Sequence, residues 1–246
     1  MVKIGSARLD ERGGIAGGQA GDQNGMEVAR ENWYQHILGW IVFRAKDAEA
    51  AEAIARDMEY ACDNDHIGYD QNNSYSLYNA AKPYAFDCSK VKTDCETDCA
   101  RLARVCILYA GINVEEFYTG NAPAALSKTG AFFRYDDAKY TETDKYLRRG
   151  DILVTKSKGH IAVVLNDGEN VQKTLVLATA SVNIRRSPRI GGEIIKAARI
   201  GESFEYAGCY GFDERGVQWY EVVLEHDPKD VYRGWISSTY SRKEDR

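Results

Sequence analysis

Four of the chain's six cysteines lie within Asp87–Cys106, DCSKVKTDCETDCARLARVC, and three of them follow an aspartate. A cluster of this kind has four uses: metal ligation, disulfide formation, packing, or attack by one thiolate. Zinc sites favour short Cys-x₂₋₄-Cys pairs on turns. Here the spacings run Cys88-x₆-Cys95-x₃-Cys99-x₆-Cys106, with no second matching pair downstream. A Cys88–Cys95 or Cys95–Cys99 disulfide stays open, although six cysteines in 246 residues are too dilute for a disulfide scaffold.

Nucleophilic catalysis asks for a thiol whose pKa is lowered, as happens at a helix N-terminus with a histidine beside it. Only Cys99 is followed at once by a helical stripe, Leu102, Ala103, Cys106, Tyr109 and Ala110, with Gly111 as a stop. Cys88 precedes SKVK and Cys95 precedes ETD, and neither sequence begins a helix. Cys106 and Cys62 read as core residues and Cys209 as a half-buried strand residue. The base must come from four histidines. His36 sits in an aromatic segment, His66 in the loop HIGYDQ, and His226 in an acidic tail loop. His160 opens a strand after Lys158-Gly159, and a cysteine at a helix start facing a histidine on a following sheet is a papain-like arrangement.

The elements that would position these groups are legible in outline. Residues 1–31 are glycine-rich and polar and read as an irregular arm, followed by the apolar WYQHILGWIVF, which packs on the core. DAEAAEAIARDMEYAC carries Ala51, Ile54, Ala55, Met58 and Cys62 at helical spacing, with Asp47 as N-cap. RRGDILVTK and GHIAVVLNDG read as two strands between turn signals. Beyond about residue 175 the pattern becomes short strands and turns, suited to a small β-barrel.

With 44% hydrophobic and 28% charged residues the chain has an ordinary globular balance. A net charge of -5 without a basic face excludes a typical nucleic-acid binder. The first residues lack the apolar stretch of a secretory signal, and no apolar run approaches the roughly 20 residues of a membrane span. The expectation is a protein made in the cytoplasm without a signal peptide, with no membrane insertion.

TDCETDCARLARVC followed by RRGDILVTKSKGHIAVVL resembles papain-like cell-wall cysteine hydrolases of the NlpC and CHAP type. Such enzymes show Asp-Cys-Ser at the nucleophile, then a Gly-Asp-Ile/Leu strand, then Gly-His-Val/Ile on the next. Among them the chain is most similar to phage and prophage endolysins of Gram-positive hosts. The arm GGQAGDQNGMEV and the loop NDHIGYDQNN share that likeness, which covers residues 3–170. The tail VNIRRSPRIGGEIIKAARIGESFEYAG, with WYEV and GWISSTY, resembles a bacterial SH3-like domain through Asn183, Ile184, Arg185, Pro188, Gly201, Gly234 and Trp235. Two departures stand out: Ala100 replaces the serine after the nucleophile, and Ser187 replaces the glycine of the tail's Gly-Pro. A literal Asp-Cys-Ser occurs at Asp87-Cys88-Ser89, but the helix argument and the downstream Arg-Val-Cys align the motif on Cys99.

The resemblance implies an α+β protein. A papain-like catalytic domain, helices packed on an antiparallel sheet, would span 1–174, and an SH3-like wall-binding barrel 175–246. It implies hydrolysis of a peptidoglycan amide bond in Gram-positive walls, either in the stem peptide or cross-bridge or between muramic acid and L-Ala, without a cofactor or metal. Cys99 would attack and His160 serve as base and then acid, with Tyr69 bonding the oxyanion and Gln71 able to share that role. Gln172, Thr174 or Asp151 would orient the histidine, Gln172 first among them. Asp70, Gln71, Asp22 and Gln23 would line the cleft. Two other readings stay open: an inactive wall-binding or interaction protein, and a zinc-binding domain built on the clustered cysteines.

Overall fold

The computed structural model describes the chain except residues 158, 172–173, 228–229 and 246 and the side chains of 174, 208, 225–227, 230–231 and 245. It divides into two compact units, Met1–Val171 and Gln172–Arg246.

In the first unit the elements are β1 (Lys3–Ala7), β2 (Val28–Asn32), β3 (Trp40–Ala45), α1 (Ala48–Cys62), β4 (Ile67–Tyr69), α2 (Ser76–Ala81), β5 (Cys95–Thr97), α3 (Cys99–Tyr109), α4 (Ala122–Lys128), β6 (Phe132–Tyr135), α5 (Ala138–Thr141), β7 (Ile152–Thr155) and β8 (Ile161–Val164). Six strands form an antiparallel sheet in the order β2-β1-β8-β7-β3-β6. The expected irregular arm is therefore wrong at both ends: Lys3–Ala7 and Val28–Asn32 pair with each other, and Ile4 and Gly5 pair with Val164 and Val163. Five residues containing a glycine are too short for alternation to announce a strand. The second partner of Lys3–Ala7, Ile161–Val164, lies far along the chain.

Strand alternation gives the sheet two faces. Ala7, Ile161 and Val163 share the larger core with Ile54 and Met58 of α1 and Leu102 and Cys106 of α3. Ile4, Trp40, Leu153, Ala162 and Val164 form a smaller cluster on the other face. Fully burying a side chain such as Leu102 or Ile54 contributes about 1.5–3 kcal/mol, and both are 0% exposed.

Helix α1 begins as the sequence indicates, with the Asp47 carboxylate accepting the Ala50 N–H at 2.9 Å. Arg149 fastens this helix to the start of β7. Its guanidinium bonds Glu52 and Glu59 at 2.8 and 2.7 Å and also reaches the Leu165 carbonyl. Gly150 follows with φ +85°, and a Cβ there would lie 2.1 Å from the Ala51 carbonyl oxygen, so only glycine fits. Asp151 is 1% exposed; its carboxylate takes Arg44 Nε at 2.7 Å and Nη2 at 2.6 Å and the Arg148 N–H at 2.7 Å. The Gly-Asp of the strand motif thus has a structural cause in both residues.

The second unit contains β9 (Thr174–Ala178), β10 (Val182–Arg185), β11 (Ile194–Ala198), β12 (Ser203–Phe212), β13 (Gln218–Asp227), β14 (Asp230–Ser237) and β15 (Ser241–Asp245). They form one sheet in the order β11-β10-β14-β13-β12-β9-β15. Among the described residues its two ends do not pair, so the barrel expected here is not closed. Its core holds Val176, Ile184, Phe204, Val222 and Ile236. Gly234 earns its place by close approach: a Cβ would lie 2.5 Å from Ile184 and 2.6 Å from Ile195. No helix among the described residues is long and apolar enough to cross a membrane.

Candidate active site

Helix α3 starts at Cys99 because Asp98 caps it. The Asp98 carboxylate accepts the N–H groups of Ala100 and Arg101 at 2.9 and 2.8 Å and pairs with the Arg101 guanidinium at 2.8 Å. Cys99 is 8% exposed. Its sulfur lies toward the backbone N–H of Ile161, the residue after His160, which acts to lower the thiol's pKa. This contact forms where the β1–β8 pairing, last made at Gly5 and Val163, has ended. The helix start and the opening residue of β8 therefore meet at one end of the sheet.

His160 continues the ladder by one pair, its carbonyl accepting the Thr155 N–H at 3.1 Å. Alternation turns its side chain to the face of the smaller cluster, where the ring lies 6.4 Å from that of Trp40 and Nε2 stands 3.2 Å from Ser6 Oγ. No hydrogen bond joins the ring to the Cys99 sulfur among the described residues. Tyr34, His36 and Trp40 form a ring cluster, with Trp40 5.8 Å from Tyr34 and 5.1 Å from His36. Sequence reading missed this cluster as part of the site, and the aromatic run Trp33 to Trp40 was its one signal.

Electrostatics departs from the lowered thiol pKa that a helix start suggests. Burial, aided by the Asp98 charge, pushes the Cys99 thiol up to about 12, outweighing the N–H groups of Ile161, Ala100 and Cys99 itself. Burial, with Arg8 and His36 adding to it, pulls the His160 imidazole down to about 4. At neutral pH the resting pair is a neutral thiol and a neutral imidazole, not an ion pair.

The loop around Tyr69 is ordered by the N-terminal arm. β4 and β5 pair in parallel, Tyr69 opposite Thr97. The Tyr69 N–H donates to Glu27 at 2.9 Å, the Gly17 N–H to Asp70 at 2.9 Å, and the Gln71 N–H to the Ile15 carbonyl at 3.0 Å. Gln71 Nε2 donates to Tyr69 Oη at 3.0 Å, so these two side chains act as one unit. Burial raises the Tyr69 phenol to about 12, and the nearby Cys99 contributes. Asp22 is engaged in its own turn, accepting the N–H of Gly25 at 2.7 Å and of Glu27 at 3.1 Å, while Gln23 Nε2 donates to Ala20 and Gly21 carbonyls. Gln172 lies outside the described residues. Asp151 is held by Arg44 and Arg148 and makes no bond to His160.

No disulfide is formed among the described residues, and Cys88 and Cys95 are packed in the interior. Cys88 is 0% exposed, its N–H 2.8 Å and its sulfur 3.3 Å from the Asp57 carboxylate of α1. The Cys95 sulfur lies 3.4 Å from the His66 carbonyl oxygen. Among the described residues no group of three or more His, Cys, Asp or Glu is arranged to hold a metal ion.

Glu96, three residues before Cys99, is 2% exposed and neither carboxylate oxygen has a hydrogen-bond partner. Burial first, then the facing carboxylates of Glu27, Asp70 and Glu11, raise it from 4.5 to about 8. A carboxyl whose folded pKa is raised binds its proton in the folded state while the unfolded chain has lost it, so stability falls as pH rises between those values. Glu96→Gln is expected to raise the melting temperature at pH 8 and to leave it nearly unchanged at pH 4.5. An equal effect at both pH values would show that Glu96 is charged in the folded protein.

Residues 4–171 match the family model described as an endolysin-like domain. No curated protein matches the chain, and neither does any solved structure.

Proposed function

The chain belongs to the endolysin-like family through residues 4–171, and from that premise we propose that it is a peptidoglycan hydrolase cutting an amide bond by Cys–His chemistry. Family membership supports cell-wall lysis. The observation that carries the chemistry is the capped helix start at Cys99 brought against the first residues of the His160 strand.

With both groups neutral at rest, the thiol proton moves to the imidazole as sulfur attacks the carbonyl carbon. The carbonyl electrons become an oxyanion. The Ala100 and Arg101 N–H groups serve Asp98, which leaves the Cys99 N–H and the Tyr69–Gln71 pair as oxyanion donors. The imidazolium then gives its proton to the leaving amine as the C–N bond breaks, and water hydrolyses the thioester. In this reading residues 1–174 are the papain-like catalytic domain and 175–246 an SH3-like wall-binding domain, acting on Gram-positive peptidoglycan once the protein reaches it.

Digestion of purified Gram-positive walls tests the reaction class. The expected result is release of new amino groups with no rise in reducing sugar ends, as an amide hydrolase requires. A rise in reducing ends would make the protein a glycosidase and overturn the reading. A second reading, a wall-binding protein with an inert catalytic half, is favoured by the missing sulfur–imidazole hydrogen bond. Binding to walls without release of either group would establish it.

A further inference from the structure

Among the described residues, which do not include Gln172, the histidine has no carboxylate partner, since Asp151 is committed to Arg44 and Arg148. A different element supplies a hydroxyl instead. We propose that Ser6, on the N-terminal strand β1, is the positioning residue of His160, holding its Nε2 so that Nδ1 is left for the Cys99 thiol. This inference rests on the Cys99–His160 reading.

Three observations carry it. First, Ser6 Oγ stands 3.2 Å from His160 Nε2, and this is the hydrogen bond the ring makes among the described residues. Second, Ser6 is 1% exposed, and a buried hydroxyl needs a partner. Strand β1 presents Ser6 on the same face as Ile4, while Gly5 and Ala7 turn to the helices. Third, the contact spans the line at which β1 and β8 stop pairing. Ser6 therefore reaches the ring from one side, at the same strand start whose Ile161 N–H lies toward the sulfur. With Nε2–H donated to Ser6 Oγ, the Nδ1 lone pair is the one free to accept the thiol proton.

The choice of a hydroxyl has a consequence. The groups facing His160 are Ser6 on β1, Arg8 just beyond it, Trp40 on β3, and His36 in the loop before β3. None of these is a carboxylate, and the Glu31 carboxylate is paired with Arg8, so among the described residues no carboxylate touches the ring to stabilise a resting imidazolium. A base kept neutral until the thiol proton arrives fits this surrounding.

The test uses the full chain carrying Ser6→Ala, Ser6→Asn and Ser6→Asp. It reads wall hydrolysis against pH and, separately, the His160 titration by NMR. Ser6→Ala is expected to lower kcat roughly tenfold with KM little changed, as loss of one orienting hydrogen bond would. Ser6→Asn, which keeps an acceptor, is expected to recover part of that loss. Ser6→Asp places a carboxylate against the ring, so the His160 pKa and the acidic limb of the activity profile are both expected to move to higher pH. An unchanged His160 titration in folded Ser6→Asp would overturn the contact. A Ser6→Ala enzyme with wild-type kcat would overturn its positioning role. Full wall hydrolysis by His160→Ala would instead sink the Cys–His reading, and this inference with it, by a result independent of the Ser6 series.

Discussion

Cys99→Ala is expected to cut amide hydrolysis in purified walls by roughly a thousandfold or more, while the protein still folds and still binds the walls. The small alanine side chain fits a helix start whose cap, Asp98, is untouched. What disappears is the thiol that, among the described residues, stands at a helix N-terminus beside the start of the His160 strand. Cys88→Ala is the control that gives the expectation its force. Cys88 carries the literal Asp-Cys-Ser, yet it is sealed in the core against Asp57, so its loss should lower stability and leave turnover in place. Loss of hydrolysis in Cys88→Ala with retention in Cys99→Ala would reverse the assignment.

The second large effect is on stability. Asp151→Ala is expected to lower the unfolding free energy by about 3–5 kcal/mol, read from urea unfolding. Arg44, 9% exposed, would lose its bidentate partner and remain as a buried charge facing the rings of Tyr135 and Tyr140. Wall hydrolysis per folded molecule should survive below the transition, because Asp151 does not touch His160. If Asp151→Ala instead kept its stability and lost hydrolysis, Asp151 would belong to the catalytic machinery.

Local signals in the sequence and the structure agree wherever the cause is local. The cap at Asp47, the stripe that begins after Cys99 and the two strands around His160 each announce themselves within a dozen residues. The parts that could not be read depend on distant pairing. β1 is five residues with a glycine in the middle, and its partner β8 lies over 150 residues away. β4 and β5 are three residues each and pair in parallel across an intervening helix. That same distance hid Ser6, a serine in a glycine-rich arm until β1 is laid beside β8. Burial was hidden too. A helix start predicts an acidic thiol, and only the packed structure shows that desolvation wins at Cys99.

The central claim is that Cys99 is the attacking group, and alkylation mapped by mass spectrometry tests it most directly. Cleavage after Lys92 and Arg101 isolates Thr93–Arg101, which holds Cys95 and Cys99, and fragmentation separates the two. The protein would be treated with iodoacetamide at rising pH, where the raised thiol pKa predicts faster reaction, and sampled for both adduct and wall hydrolysis. The predicted result is that the fraction of activity lost equals the fraction of chains alkylated at Cys99. Activity that persists with Cys99 fully alkylated, or vanishes while Cys99 is still free, would contradict it.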